Sequence, residues 1–262
     1  MRRARVLLAL SAVALYACSL ADGGFLTSEP ADGSVVDASI SDSAPGDETI
    51  DFDDATLDAA ACPSGCPSGF SCLDGTCADV AARAFSTSAN PSGNWLYLHL
   101  MLDAEAVPYP SLWAFDDSGV VMWSPAVGTG TPFVGENLTG ALAHPFGTTS
   151  FPPHALAAHP DSDGSWSVVR WTAPQSATYS LHLHATGFSY DAHPTSTDVA
   201  VFQNGTRQEV GYVNVDGGGN DAVFAPIVAT LASGDTFEVR VGYGNGDYTF
   251  DSTGLDLAIT SP

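Results

Sequence analysis

The chain contains no lysine; its seven basic residues are all arginine, set against 30 carboxylates. Three of the arginines fall within residues 2–5, so beyond residue 17 four cations remain and the net charge is −26. Such a surface repels phosphate backbones, whose binding rests on neutralisation by Lys and Arg. Nucleic acid is therefore excluded as a partner, and anionic lipid headgroups are poor ones; cations, neutral sugars and basic proteins remain. Without lysine there is no Schiff-base or Ser-Lys chemistry, and G-x-S-x-G, H-E-x-x-H and P-loop motifs are also missing. The chain reads as a non-enzyme, although a Ser-His-Asp set or carboxylate pair dispersed along the sequence leaves no such trace. No apolar run reaches the roughly 20 residues that span a bilayer.

Cysteine is scarce and odd in number: five in all. Met1-Arg2-Arg3-Ala4-Arg5, the apolar run Val6 to Leu15 and then Tyr16-Ala17-Cys18 form a basic start, a short greasy stretch and a small residue before a cut. That is an export signal over residues 1–17. The quartet Leu15-Tyr16-Ala17-Cys18 resembles the lipobox of bacterial lipoproteins, which implies acylation of Cys18 and a bilayer as its partner. Ser19 after that cysteine implies, by the same resemblance, release to an outer membrane or cell surface. The plainer alternative is an ordinary signal-peptide cysteine. With Cys18 lipidated, an even set of four remains. Two or more acyl chains hold a protein stably on a membrane.

Residues 18–61 form a tether, since 19–61 carry 11 carboxylates, no base and no hydrophobic period. As a coil it reaches about 35–40 Å, and self-repulsion extends it. Next, "CPSGCPSGFSCLDGTC" spaces Cys62, Cys66, Cys72 and Cys77 as C-x3-C-x5-C-x4-C. Outside a reducing compartment these should close two disulfides, with three possible pairings. Four thiolates around zinc are the sharper alternative. The segment resembles a short cysteine-rich motif that follows acidic linkers in many myxobacterial surface lipoproteins, and residues 62–82 read as a stapled spacer.

Residues 83–262 hold one core. Helical periodicity is almost absent, while short apolar segments recur: 95–102, 112–115, 120–123, 166–171, 178–185, 197–203, 209–215, 222–231, 236–243 and 255–260. Asn204-Gly205 is a two-residue hairpin signal, and Ala232-Ser233-Gly234-Asp235 a second turn. The expected fold is all-β, a single jelly-roll β-sandwich following the disordered tether and the disulfide-rich segment. The strings "GSWSVVRWTAP", "STDVAVFQNGT" and "LASGDTFEVRVGYGNGDYTFDSTGLDLAI" resemble a domain of exported bacterial proteins, including ones with PEP-CTERM sorting signals. That resemblance, clearest from His159 onward, implies a sandwich like a carbohydrate-binding module. It differs here in lacking a C-terminal sorting helix.

Several side chains could carry function. Arg170 interrupts a strand, and in so acidic a domain its guanidinium should find a carboxylate; Asp198, Asp251 and Asp256 are the expected partners of an ion-pair cluster. His182 and His184, two apart on a strand, point to one face and could ligate a metal with His193, but the plainer reading is a solvated face over inward Leu181 and Leu183. The acidic turns at 161–164, with Asp161 and Asp163, at 216–221 and at 245–247 offer hard oxygens for a structural calcium; no other cofactor is required by any motif. Sugar binding needs aromatic faces beside polar groups, for which Trp113, Trp123, Tyr190, Tyr248 and His159 are the candidates, with Tyr109 and Tyr212 also near loops. The expected function is non-catalytic binding of an extracellular ligand, foremost a polysaccharide. A structural or protein-adhesive envelope component is the alternative, and a metal-dependent enzyme a more distant one.

Overall fold

The computed structural model describes residues 62, 65–73, 75–101, 104–189, 193–215 and 219–261. The signal, Cys18 and the tether lie outside the described residues, as do Tyr190 and Asp216. In chain order the strands are β1 (Ser71–Leu73), β2 (Thr76–Val80), β3 (Trp95–Leu100), β4 (Val107–Pro108), β5 (Ser111–Phe115), β6 (Val120–Ser124), β7 (Phe133–Asn137) and β8 (Leu156–His159). They continue with β9 (Trp166–Thr172), β10 (Ala177–Gly187), β11 (Thr197–Gln203), β12 (Thr206–Val213), β13 (Asp221–Val223), β14 (Ile227–Leu231), β15 (Thr236–Val241) and β16 (Thr253–Ser261).

These strands make two antiparallel sheets, the sandwich anticipated from the alternating segments. One sheet runs β12-β11-β15-β9-β3-β4. In the other, β10 and β16 are the central pair, and β13 and β14 both line the far edge of β10. The other edge of β16 is shared: its start pairs with β8, leading on to β7, β6 and β5, and its end pairs with β2 and so β1. Val169, Trp171, Val199, Val201, Val239 and Val241 from the first sheet meet Tyr179, Leu181, Leu183, Leu255, Leu257 and Ile259 from the second in one core. Burial of side chains this size stabilises the fold by about 1.5–3 kcal/mol each. The Asn204-Gly205 turn takes positive φ at both residues (48° and 75°), the geometry that closes a tight hairpin between right-twisted strands.

Two departures from the sequence reading have clear physical causes. The segment 222–231 is two strands rather than one, because Pro226 has no N–H to continue the ladder along β10. The cysteine segment is not a detached spacer. Its disulfides, Cys62–Cys72 and Cys66–Cys77, brace the β1–β2 hairpin, whose second strand extends the sheet along Ala258 to Ser261. Phe70 lies against Trp171 and Tyr179 of the main core. Asp79 on β2 is buried and accepts the indole N–H groups of Trp95 (2.7 Å) and Trp171 (2.9 Å) and the amide of Asn94 (2.9 Å). Burial raises the Asp79 pKa, and these three donors oppose the rise. The sulfurs are engaged in disulfides, which leaves no thiolates for zinc. Loops of this length contribute about 2.5–3 kcal/mol per bridge in the chain-entropy account.

On β6, β7 and β8, both faces are covered. Trp123, Val134, Leu156 and Ala158 belong to the main core, while Met122, Phe133 and Ala157 join Ala143, Phe151 and Phe188 in a second cluster on the opposite side. The connection from β7 to β8 covers that side and is organised by Asn137, whose amide donates to the carbonyls of Ala141, Phe151 and Pro152. Close packing here requires Gly135, since a Cβ at that position would lie 2.8 Å from both Met122 Cγ and the Val121 carbonyl. This second cluster forms the floor next to the candidate site.

Candidate functional site

β7 begins, β8 ends and β16 begins at the same end of the sheet, because Phe133 pairs with His159 and Thr253 with Ala158. Loops gathered there enclose a cavity of about 380 Å³ lined by Gly130, Thr131, Phe146, Thr148, Thr149, His159, Tyr248, Thr249, Phe250 and Ser252. That volume lies within the range of small-molecule sites. Phe146 reaches it from the β7–β8 connection, packing on Phe115 (4.3 Å between ring centres) and Phe133 (6.1 Å) while staying 38% exposed. His159 stacks on Phe133 at 5.5 Å and meets Tyr248 edge-on at 6.2 Å.

Phe146 and Phe250 both adopt left-handed backbone conformations, with φ of 63° and 71°. For a bulky L-residue this costs about 1–2 kcal/mol and persists only where surrounding contacts hold it. Those contacts are visible. The Phe250 carbonyl accepts hydroxyls from Ser189 and Thr195, and Thr195 is itself fully buried. Ser150 N–H donates to the Phe188 carbonyl (2.8 Å), and Thr149 bridges to Ser189, which seats the Phe146 loop against the end of β10. Two aromatic residues of one cavity thus hold positive φ.

The polar groups of the lining are hydroxyls and one imidazole. His159 is buried, and its Nδ1–H donates to the Pro160 carbonyl at 2.7 Å, since a carbonyl can only accept. Burial drives its pKa down to about 4, against smaller opposing effects of that hydrogen bond and of Asp161. The Thr131 hydroxyl donates to Asp161 at 3.0 Å, so its lone pairs are what it presents to the cavity. Behind the Tyr248–Ser252 loop, Asp251 is fully buried with Oδ1 accepting the Ser196 N–H at 2.8 Å, while Oδ2 has no hydrogen-bond partner among the described residues. Burial lifts its pKa to about 7, helped by nearby Asp247 and Asp198 and opposed by Ser196.

Of the aromatic candidates read from sequence, Tyr248 and His159 meet in this cavity. Trp123 is instead a core residue whose indole donates to the Ser86 carbonyl (2.9 Å), and Trp113 packs on the second cluster with its indole on Ser124 (2.9 Å). Tyr109 is buried against Ser167, and exposed Tyr212 on β12 lies elsewhere. Phe146 and Phe250 carry no polar tip to mark them as ligand-facing in the sequence; the aromatic next to glycine in "HPFGTT" is the signal the sequence offers.

The ion-pair expectation for Arg170 is corrected. Its partner is Glu238, directly across the ladder on β15, with Nε–H donating at 2.7 Å and the second contact at 2.6 Å. Arg240 takes the other oxygen of Glu238 at 2.7 and 2.9 Å and lies 3.7 Å above the Phe202 ring. Asp198 instead accepts the Gly244 N–H (2.8 Å), and burial raises its pKa. Asp256 stands opposite His184 in the other sheet, on the outer face, and cannot reach Arg170 on the far side of the sandwich.

Leu181 and Leu183 point into the core, and His182 meets Thr260 (3.1 Å) while His184 meets Asp221 (3.1 Å). His193 stacks on Phe250 at 4.4 Å, apart from both. Among the described residues, the cysteines form the one group of three or more ligating side chains close enough to share an ion. Asp161 and Asp163 cap their own turn through Ser162 and Ser165.

No protein-family model matches the chain, and no curated protein matches it. Parts of it superpose on solved carbohydrate-binding modules. One is the family 51 module of the Clostridium perfringens GH95 protein in complex with methyl-galactose (12% identity over 51% of this chain and 91% of that one, TM-score 0.32). Another is a family 35 module from Clostridium thermocellum (13% identity, 58% and 98% covered, TM-score 0.26). The match to the second family 51 module and INT domains of Clostridium perfringens ZmpB spans 23% of that chain and 43% of this one (12% identity, TM-score 0.30). At TM-scores this low, the likeness carries no information about the cavity.

Proposed function

We propose that this protein is a lipid-anchored envelope protein whose sandwich binds a saccharide, without catalysis, in the Phe146–Phe250 cavity. One observation carries the reading: three aromatic rings and five serine or threonine residues line one hollow of about 380 Å³, and two of those rings sit in strained backbone. Sugar rings present C–H patches and hydroxyls together, which such a lining complements. Among the described residues the lining holds no carboxylate, and its one imidazole is tied to a backbone carbonyl rather than to an acid, which supports binding over turnover. A glycan array with the full chain tests this. Binding to at least one polysaccharide class is expected, and Tyr248→Ala should weaken it tenfold or more, equal to about 1.4 kcal/mol. Silence across the array defeats the reading.

The adhesive alternative has its own support. Val228 and Val223 stand opposite Ser180 and His184 on the outer sheet face and are 65% and 61% exposed. A silent array together with capture of an envelope protein, lost on Val223→Asp, would favour it.

Anchoring rests on the sequence of residues 1–18 alone. Cys18→Ser should move the exported chain from the detergent phase to the aqueous phase in a cloud-point partition; retention in detergent refutes lipidation.

A further inference from the structure

We propose that the cavity selects uncharged sugar units over uronic and other acidic sugars, with His159 Nε2 accepting a hydrogen bond from a ligand hydroxyl. This rests on the saccharide reading above and narrows it to a ligand class.

Two polar groups of the lining are committed as acceptors, while the hydroxyls of Thr148, Thr149, Tyr248, Thr249 and Ser252 can donate or accept. Because Nδ1–H is committed to the Pro160 carbonyl, the neutral imidazole carries no second proton, and Nε2 is left with a bare lone pair. Among the described residues no protein group donates to that atom, and the ring lines the cavity. The Thr131 hydroxyl proton is likewise committed, to Asp161. Two acceptors are therefore fixed in place before any ligand arrives. A sugar hydroxyl brings the donor that both lack; a carboxylate brings only further lone pairs.

Charge adds to this discrimination. None of the four arginines beyond residue 17 lines the cavity, and two of them, Arg170 and Arg240, are engaged by Glu238 on another face. Asp161 stands behind Thr131, and Asp247 and Asp251 belong to the loop that supplies Tyr248, Thr249, Phe250 and Ser252. An anionic ligand would enter beside the carboxylates of Asp161 and Asp247, with no arginine in the lining to meet it. Discrimination of this kind comes from repulsion and an unmatched polar group as much as from attraction.

The groups facing His159 are the Phe133 ring beneath it, the Tyr248 ring edge-on, the Pro160 carbonyl and, electrostatically, Asp161. With the imidazole pKa near 4, Nε2 stays an acceptor from about pH 8 down to pH 5 and becomes a donor only below that.

Calorimetric titration of the full chain with methyl glycosides of glucose, galactose and N-acetylglucosamine, each beside glucuronate and galacturonate, tests the proposal. At least one neutral glycoside should bind tenfold or more tightly than its acidic counterpart. Its affinity should be level between pH 8 and pH 5 and fall as pH drops through about 4. His159→Phe, which keeps the ring on Phe133 but removes the acceptor, should lose tenfold or more while retaining the wild-type circular dichroism. Equal or tighter binding of a uronate overturns the selectivity and leaves saccharide binding standing. No binding of any sugar overturns the saccharide reading itself. Full affinity in a folded His159→Phe chain removes the acceptor role.

Discussion

Replacing Glu238 by alanine is expected to destabilise the protein by about 3–5 kcal/mol, the usual cost of breaking a buried ion pair from one side. For a folded unit of this size that corresponds to a fall in Tm of about 6–20 °C. Glu238 is 4% exposed and carries both guanidiniums, one on each carboxylate oxygen. Its removal leaves two cations, whose side chains are 27% and 18% exposed, facing each other without an anion between them. Arg170→Ala should cost less, because Glu238 keeps its contacts with Arg240. The cluster is a determinant of geometry more than of net stability. A chain carrying Arg170→Met, Glu238→Leu and Arg240→Met together should recover most of what the single substitution loses, since a packed apolar set avoids the desolvation of three charges. Urea unfolding of the three variants decides it. A loss below about 1 kcal/mol for Glu238→Ala would place the cluster with surface pairs of little consequence.

The sandwich was legible wherever one face of a strand meets water. β10 alternates inward Tyr179, Leu181 and Leu183 with outward Ser180, His182 and His184, and the sequence shows that period plainly. β7 and β8 were invisible for the opposite reason. Val134 and Phe133 both find a core, so "FVGEN" and "LAAH" have no polar side to mark a strand. Partners across the sheet were harder still. Glu238 stands 68 residues from Arg170, and only the register of β15 on β9 selects it among 30 carboxylates. The cavity has the same character: Thr131, Phe146 and Phe250 come from separate connections and His159 from the end of β8, so its members could be suspected singly, as Tyr248 and His159 were, but not assembled.

The difference in stability between Asp251→Asn and the wild-type chain should grow with pH, in favour of the variant, by about 2–3 kcal/mol between pH 5 and pH 8. The folded carboxyl has its pKa lifted from 3.8 to about 7 by burial first, then by Asp247 and Asp198. Between those two values the folded protein keeps a proton that the unfolded chain has released. The stability contributed by this group is therefore complete below pH 3.8 and is lost as pH rises through 7. Asparagine preserves an oxygen for the Ser196 N–H and never ionises, so the loss should vanish in the variant. His159 acts in the other direction. With a folded pKa near 4 against 6.5 unfolded, its contribution is complete above pH 6.5 and is lost as pH falls through 4. Between about pH 4 and 6.5 the slopes contributed by these two groups oppose each other. Asp251→Asn removes one of them, so its stability should climb relative to the wild type as pH rises through that window. Chemical unfolding of both chains at pH 5, 6, 7 and 8 reads the difference directly. A constant offset across the series would show that Asp251 is ionised at pH 5 in the folded protein, and that its buried Oδ2 has a partner in solution.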